Sequence, residues 1–253
     1  MMTNSFADHF SGVAQEYASY RPQYPPSLFS YIGGLTSGRA LAWDCAAGSG
    51  QATMSLLPYF DRVIATDASA AQIAAAPPHP KVSYQVALAE ASGLSDASVN
   101  LVTVAQAAHW FDLPQFYQEV RRVLVPKGTI AIWGYGLHRV GDSEIDDAIG
   151  FFHMHVVGPY WPPERALIDA GYRTIPFPFA EVSPPAFEMV ARWTLPQLLG
   201  YLRTWSAVER YRAAKGIDPV ASLESQIAPY WGDARQQRRI TWPLALRVGS
   251  LKG

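Results

Sequence analysis

The stretch Asp44-Cys45-Ala46-Ala47-Gly48-Ser49-Gly50 decides the fold of this 253-residue chain. It follows the apolar run at 40–43 and precedes a run with helical spacing that begins at Gln51. This order predicts a strand, a tight turn and a helix. Glycine in the turn allows positive φ and close approach of a ligand to the backbone, and the first N–H groups of the helix are unpaired. The stretch therefore predicts a nucleotide-like ligand at the end of the first strand.

The composition restricts the classes of protein to consider. A net charge of −1 gives no bulk attraction to nucleic acid or to an anionic membrane. A single cysteine, Cys45, excludes an internal disulfide and a cysteine-based zinc site. The apolar runs are too short to span a bilayer, and residues 1–10 lack the pattern of a signal peptide. We expect a cytoplasmic protein, a monomer or homodimer, with no nucleic-acid or membrane partner.

Strands and helices alternate through the first half of the chain. A repeated strand–helix order indicates a parallel sheet with helices on both faces, and ligands bind such sheets at the carboxyl ends of the strands. The predicted strands are 40–44, 62–66, 82–86, 100–105 and 129–133. The predicted helices are 27–35, 51–59, 69–76 and 113–124.

The second half of the chain is less regular and rich in proline and aromatic residues. Interleaved aromatics at 159–163 and 176–179 favour a folded, aromatic-lined cap over a disordered segment. The N-terminal segment 1–30 has helical spacing that prolines at 22, 25 and 26 end. Further predicted elements are helices at 142–157, 196–211 and 219–230 and strands at 187–194 and 239–248.

Two residues help to choose the kind of nucleotide ligand. A dinucleotide fingerprint needs a third glycine where this chain has Thr53. Asp44 ends the first strand, where aspartate is a poor strand former, so it has a polar role toward the ligand or as a cap of the turn. Asp67 ends the second strand, about 20 residues past the glycine turn, where it can accept hydrogen bonds from ribose hydroxyls or cap the next helix.

Two further segments end at the same edge of the predicted sheet. Ala89-Glu90 follows the third strand, and the segment from Gln106 to Phe111 follows the fourth. Within it, His109 and Trp110 can form a wall for a cationic or aromatic group, although a packed, hydrogen-bonded histidine is the alternative for His109. His153 and His155 splay apart on a predicted helix without a neighbouring carboxylate or cysteine, so no metal site is predicted.

Together these motifs resemble class I S-adenosylmethionine (SAM)-dependent methyltransferases. That resemblance implies a Rossmann-like α/β fold with a mostly parallel seven-stranded sheet, helices on both faces, an N-terminal arm and a helical cap. It also implies SAM as cofactor and one domain over 1–253, divided into an arm or lid (1–30), a cofactor-binding core (36–135), cap insertions (136–235) and a final strand (236–253). The chain departs from the family at Ala46, usually glycine, and at Leu88, often aspartate, and Pro126-Lys127-Gly128 resembles the family's Lys-Pro-Gly-Gly turn.

Three further stretches resemble the subgroup that includes fungal trans-aconitate methyltransferases. They are 10–17 leading to 21–25, then 106–111, and lastly Tyr160-Trp161 with 172–177. This resemblance implies methyl transfer to a small-molecule acceptor, with carboxylic acids as the favoured class, and an arm that closes over the cofactor. An NAD(P)-dependent oxidoreductase and a catalytically inactive SAM-binding module are the alternatives.

The resemblance and the edge positions together give the candidate site. A histidine base, His109, is needed for a hydroxyl, amine or carbon-acid acceptor but not for a carboxylate. Arg21 can bind the methionyl carboxylate of the cofactor, which we favour, or a substrate carboxylate. Tyr17, Trp133 and Tyr160 are further candidate pocket walls. The predicted catalytic residues are His109, Trp110 and Tyr24, and the predicted cofactor-binding residues are Arg21, Asp44, Ala46, Gly48, Gly50, Asp67, Ala68, Ala89, Glu90 and Gln106.

Overall fold

One mixed sheet organises residues 22–251, the part of the chain that the computed structural model describes. The order is β3-β2-β1-β4-β5-β8-β6, and β7 also pairs with β8. The first five strands are parallel, whereas β8 is antiparallel to β5, β6 and β7. The strands are β1 Leu41–Cys45, β2 Arg62–Asp67, β3 Val82–Val86, β4 Val99–Ala105, β5 Leu124–Tyr135, β6 Ala180–Val182, β7 Phe187–Trp193 and β8 Arg238–Ser250.

The predicted fold class is confirmed, with eight strands in the described residues where seven were expected. Leu244 of β8 pairs with Tyr135 of β5 and with Phe187 of β7, so β7 lies on the edge of β8 opposite β5. The short β6 pairs with the other end of β8. Pro184 and Pro185 separate β6 from β7, and proline cannot donate to a ladder. Two short strands therefore share the seventh position of the sheet.

Alternate residues of the central strands face opposite sides of the sheet. Ala42 and Leu101 lie in one buried cluster with the helices α1 (Pro26–Gly34) and α2 (Gln51–Leu56), whereas Trp43 and Val102 lie in the other with α4 (Leu113–Val123). This alternation with two buried faces explains why the strands read as continuous apolar runs. The helices next to the central sheet are α1 Pro26–Gly34, α2 Gln51–Leu56, α3 Ala70–Ala75 and α4 Leu113–Val123.

The predicted strand at 129–133 is longer in the structure and contains the predicted Pro126-Lys127-Gly128 turn. Leu124 pairs with Val99 and Thr129 pairs with Leu101, so residues 125–128 bulge from the ladder with Lys127 at φ +61°. The bulge lies at the amino end of β5, away from the edge where the candidate site residues gather.

The cap is built on the β7–β8 ribbon. Since Tyr135, the end of β5, pairs with Leu244, residues 238–243 of β8 extend past the carboxyl edge of the parallel strands. The predicted helix at 196–211 is two helices, separated at Thr204 and Trp205, whose backbone is extended at Trp205. The cap helices are α5 Ser143–Phe151 with a π-helical turn at Phe152–Val156, α6 Arg165–Asp169, α7 Leu195–Arg203, α8 Ser206–Lys215 and α9 Pro219–Trp231. Within residues 22–251, none of the helices has the length and apolar character that a membrane span requires.

Candidate active site

The glycine turn has the positive φ angles that its sequence predicts. Ala46, Gly48 and Gly50 all have positive φ, at 54°, 56° and 88°. A Cβ on Gly50 would meet the Tyr84 hydroxyl at 3.0 Å, so both conformation and space favour glycine there. Ala46 carries a Cβ in the left-handed region, which costs about 1–2 kcal/mol. The turn is tied to β2 because the Ala47 N–H donates to the Thr66 carbonyl at 2.9 Å.

Asp44 is wholly buried beneath this turn. Its Oδ2 accepts from the Thr53 hydroxyl at 2.6 Å, and its Oδ1 accepts from the Thr103 hydroxyl at 2.9 Å. Burial raises the pKa of Asp44 to about 6, and the two threonine hydrogen bonds oppose that rise. Thr53, which stands where a dinucleotide site has glycine, thus joins α2 to the end of β1. Through these two hydrogen bonds, Asp44 helps to fix the position of the turn.

Asp67 links the end of β2 to the same turn. Its Oδ2 accepts from the Gly48 N–H and its Oδ1 from the Ser69 N–H, both at 2.8 Å. Ser69 is the N-cap residue of α3, and its hydroxyl accepts from the Gln72 N–H. The helix cap that was the alternative role predicted for Asp67 is therefore supplied by Ser69. Each carboxylate oxygen has a second lone pair, so Asp67 can still accept two hydroxyl groups. Ala68, beside it, is half-buried.

The segments that follow β3 and β4 are joined by Glu90. Its Oε1 accepts from the Asp112 N–H at 2.9 Å, and the preceding Ala89 is buried. Leu88, which replaces the family's frequent aspartate, is exposed and makes a bridge to Ala91. The two predicted edge segments therefore lie side by side at the carboxyl ends of the strands.

Gln106 has an acceptor that the described residues leave unused. Its backbone is at φ +56°, and its Nε2 donates to the Tyr135 carbonyl at 3.0 Å. Its Oε1 is buried and has no hydrogen-bond partner among residues 22–251. A Cβ added at Gly134 would lie 3.0 Å from that oxygen, so glycine keeps the space beside it. A buried acceptor without a donor is costly, and a ligand donor would satisfy it.

His109 is hydrogen-bonded to Tyr172, which was not among the predicted site residues. Its Nδ1 lies 2.9 Å from the Tyr172 hydroxyl, and its ring lies 4.6 Å from that of the partly exposed Trp110. Burial first, and then the charge of Arg165, lower the pKa of His109 to about 3. The imidazole is therefore neutral at pH 7. Tyr172 lies in the 172–177 stretch of the subgroup resemblance, which was the only sequence signal for it.

Tyr24 lies near the carboxyl end of β5. Its buried ring packs edge-to-face against Trp133 at 5.6 Å, and Tyr135 is 6.4 Å away. Nearby, the Pro22 carbonyl accepts from Gln51 Nε2 at 2.8 Å, so the end of the predicted arm lies against the start of α2. Arg21, Tyr17 and the other arm residues before Pro22 lie outside the described residues. Within 22–251, no three His, Cys, Asp or Glu side chains are grouped to hold a metal.

These features define an α/β enzyme fold with a nucleotide-type site at the carboxyl edge, and comparisons with known proteins identify the family. A family described as "Methyltransferase domain" matches residues 43–132. A Dictyostelium discoideum protein named as a methyltransferase is 34% identical over 225 residues, which cover 88% of this chain and 86% of that protein. A Saccharomyces cerevisiae protein named as an S-adenosylmethionine-dependent methyltransferase is 34% identical over 128 residues, 47% of this chain and 44% of that protein.

A solved structure supports the same family. It is described as a type II methyltransferase from Anaeromyxobacter dehalogenans, and it is 44% identical with a TM-score of 0.88 over 92% of this chain and 100% of that one. The chain belongs to the SAM-dependent methyltransferases. SAM is its cofactor, which decides against the NAD(P)-dependent alternative. The residues present fit that cofactor, since the turn, the spare lone pairs of Asp67 and the unused oxygen of Gln106 offer contacts of the kind it needs.

Proposed function

We propose that this enzyme transfers the methyl group to a carboxylate oxygen of a small organic acid. The proposal rests on the protonation of His109, whose imidazole is neutral at pH 7. A hydroxyl, amine or carbon-acid acceptor needs a base whose pKa is near the working pH. His109, with its pKa lowered to about 3, is a weak proton acceptor. A carboxylate is already ionised at pH 7 and requires no base. The subgroup resemblance, to trans-aconitate methyltransferases, favours the same class of acceptor.

The cofactor side of the site is proposed to use the edge residues named above. SAM supplies an electrophilic methyl group on a sulfonium. Asp67 accepts the ribose hydroxyls, and Ala68, Ala89 and Glu90 surround the adenine. Ala46, Gly48 and Gly50 allow close approach to the turn, and the unused Gln106 oxygen accepts from a donor of the cofactor. Arg21 binds the methionyl carboxylate, since a guanidinium fork matches a carboxylate.

The remaining predicted residues are proposed to shape the reaction space. Asp44 acts through the turn that it holds with Thr53 and Thr103. Trp110 and Tyr24 exclude water and offer aromatic faces to the sulfonium cation. His109, held by Tyr172, orients the acceptor as a neutral hydrogen-bonding group. A net charge of −1 suits a small-molecule acceptor better than nucleic acid. The oligomeric state and the cytoplasmic location remain predictions.

Methyl transfer from radiolabelled SAM to a panel of small carboxylic acids tests the proposal. The panel pairs each acid, trans-aconitate among them, with its amide, and it also includes hydroxyl and amine acceptors. We expect label in a base-labile methyl ester of at least one acid and none in the matched amide. Label only in hydroxyl or amine acceptors would contradict the carboxylate proposal and leave the cofactor assignment standing.

A further inference from the structure

Arg165 is a largely buried cation between the candidate active site and the cap. Its side chain is 19% exposed. Its Nε donates to Asp169 Oδ1 at 3.1 Å, and its Cζ lies 4.6 Å from the ring centroid of Trp161. A guanidinium carries five N–H donors. Among residues 22–251, Asp169 is the one acceptor that the Arg165 side chain bonds, so guanidinium donors remain for a ligand.

Unpartnered polar atoms lie next to this guanidinium. Trp161 Nε1 and His153 Nε2 are both buried and lack a hydrogen-bond partner within the described residues. The His153 ring, on a side chain that is 8% exposed, lies 5.3 Å from the Trp161 ring. His153 also packs edge-to-face against Trp205 at 5.6 Å. Buried polar atoms are rarely left unpaired, so these atoms indicate a place where a ligand supplies the missing hydrogen-bond partners.

Arg165 also lies close to the carboxyl edge of the sheet, where the candidate active site is located. The charge of Arg165 lowers the pKa of His109 and of His153, in each case after burial. Its partner Asp169 lies 3.8 Å from the position of a Cβ on Gly136, the residue after β5. Arg165 therefore stands at the carboxyl edge of the sheet, between the histidine of the active site and the histidine of the cap.

We propose that Arg165 recognises an anionic group of the methyl acceptor, with Trp161 and His153 completing the contact. The guanidinium lies over the Trp161 ring, and its planar fork suits bidentate binding of a carboxylate. Asp169 occupies the Nε–H and fixes the orientation, and the other N–H groups face the ligand. Arg165 is thus a specificity-determining residue. This inference rests on the proposed carboxylate acceptor.

Calorimetric titration of the protein saturated with S-adenosylhomocysteine tests the inference. The probes are benzoate, phenylacetate, succinate, citrate and trans-aconitate, each with its amide. We expect the wild-type protein to bind at least one acid, and Arg165→Gln to weaken that acid by roughly 10- to 100-fold, in line with hydrogen bonds to charged groups. Arg165→Lys keeps the charge but loses the planar fork, so it should recover part of the loss. The affinity for the amide should stay the same in both variants.

Arg173→Gln is the matched control, because Arg173 is an exposed arginine close by in the chain. It should bind the acid like the wild type, and all three variants should bind S-adenosylhomocysteine within about twofold, which shows that they fold. An acid affinity unchanged by Arg165→Gln, or no binding of any acid by the wild type, overturns the inference. If acids are methylated and Arg165→Gln has no effect on kcat/KM, the proposed function survives and the role of Arg165 does not. If acids bind through Arg165 but are methylated only at a hydroxyl or amine group, the role of Arg165 survives and the proposed function does not.

Discussion

The two halves of the site differ in how their buried polar groups are satisfied. On the side of the glycine turn, Asp44, Asp67 and Glu90 each accept hydrogen bonds from the protein itself. In the cap, both nitrogens of His138 and one of His153 have no partner within residues 22–251. Protein interiors rarely leave such groups unpaired. Within the described residues, the difference lies between the carboxylates that organise the turn, which are paired before a ligand binds, and the cap histidines, which are not. Gln106 Oε1, just after β4, is unpaired among these residues like those histidines and is left for a donor of the ligand.

Asp44→Asn gives the largest expected effect on the turn side. The pKa of Asp44 is raised from 3.8 to about 6 by burial. An acid with a raised pKa contributes stability that is present below pH 3.8 and is lost as pH rises through about 6. Each pKa unit is worth about 1.4 kcal/mol, so the free energy of unfolding of Asp44→Asn, relative to wild type, should rise by about 2.5 kcal/mol from pH 4 to pH 8. Urea unfolding at intervals across that range measures it.

Asp142→Asn is the control for this pH dependence. Hydrogen bonding to Arg238 lowers the pKa of Asp142, so its contribution changes only at lower pH. The difference between this variant and the wild type should stay flat from pH 4 to pH 8. If the difference for Asp44→Asn is equally flat, burial does not raise the pKa of Asp44.

Asp67→Ala should produce the next largest effect, on cofactor binding. It removes the acceptor proposed for the ribose and the bond to the Gly48 N–H. Hydrogen bonds to a charged group contribute about 1.5–3 kcal/mol, so we expect a loss of about 2 kcal/mol, or roughly 30-fold in affinity. Titration with S-adenosylhomocysteine measures the loss. Asp61→Ala, at an exposed position just before β2, should bind like the wild type. Equal affinities for the two variants would remove Asp67 from the cofactor site.

The contrast between the two halves also explains what the sequence could predict. Asp44, Gly48, Gly50 and Asp67 were predictable because a strand, a turn and a helix follow one another locally and the signals are carried by neighbouring residues. Tyr172 and Arg165 were not, because long-range packing of the 158–172 segment brings them to His109 and His153. No local spacing encodes that contact. The prediction of one helix at 196–211 was wrong for a similar reason: the helix breaks at Trp205, whose ring packs into the cap core.

His138→Phe tests the cap side. Unlike Asp67→Ala, which should weaken an interaction, this variant should raise the free energy of unfolding. His138 is 2% exposed, and its ring packs among Tyr201, Trp205 and Trp242. Replacing an unpartnered buried polar group by an apolar ring removes a desolvation cost of about 1–3 kcal/mol, less some cost of overpacking. We expect the ligand-free protein to gain about 1 kcal/mol in free energy of unfolding at pH 7. The exposed His155→Phe should change little. A loss of stability larger than overpacking costs, about 1–3 kcal/mol, would mean that the imidazole nitrogens are satisfied, and the contrast between the halves would fail.

Ala46→Gly has the smallest expected effect and sharpens the comparison on the turn side. Ala46 adopts φ +54°, where its Cβ costs about 1–2 kcal/mol, and glycine would relieve that strain while losing about 0.4–1 kcal/mol to the greater entropy of the unfolded chain. The net gain in free energy of unfolding should be about 0.5–1 kcal/mol. Ala47→Gly, one residue on and without positive φ, should instead lose a similar amount. If both variants lose stability equally, Ala46 is not strained, because relief of strain is the one term that differs between these neighbours. A gain in the free energy of unfolding for Ala46→Gly alone would mean that the turn adopts its conformation despite the backbone strain at Ala46, because Asp44 and Asp67 stabilise it.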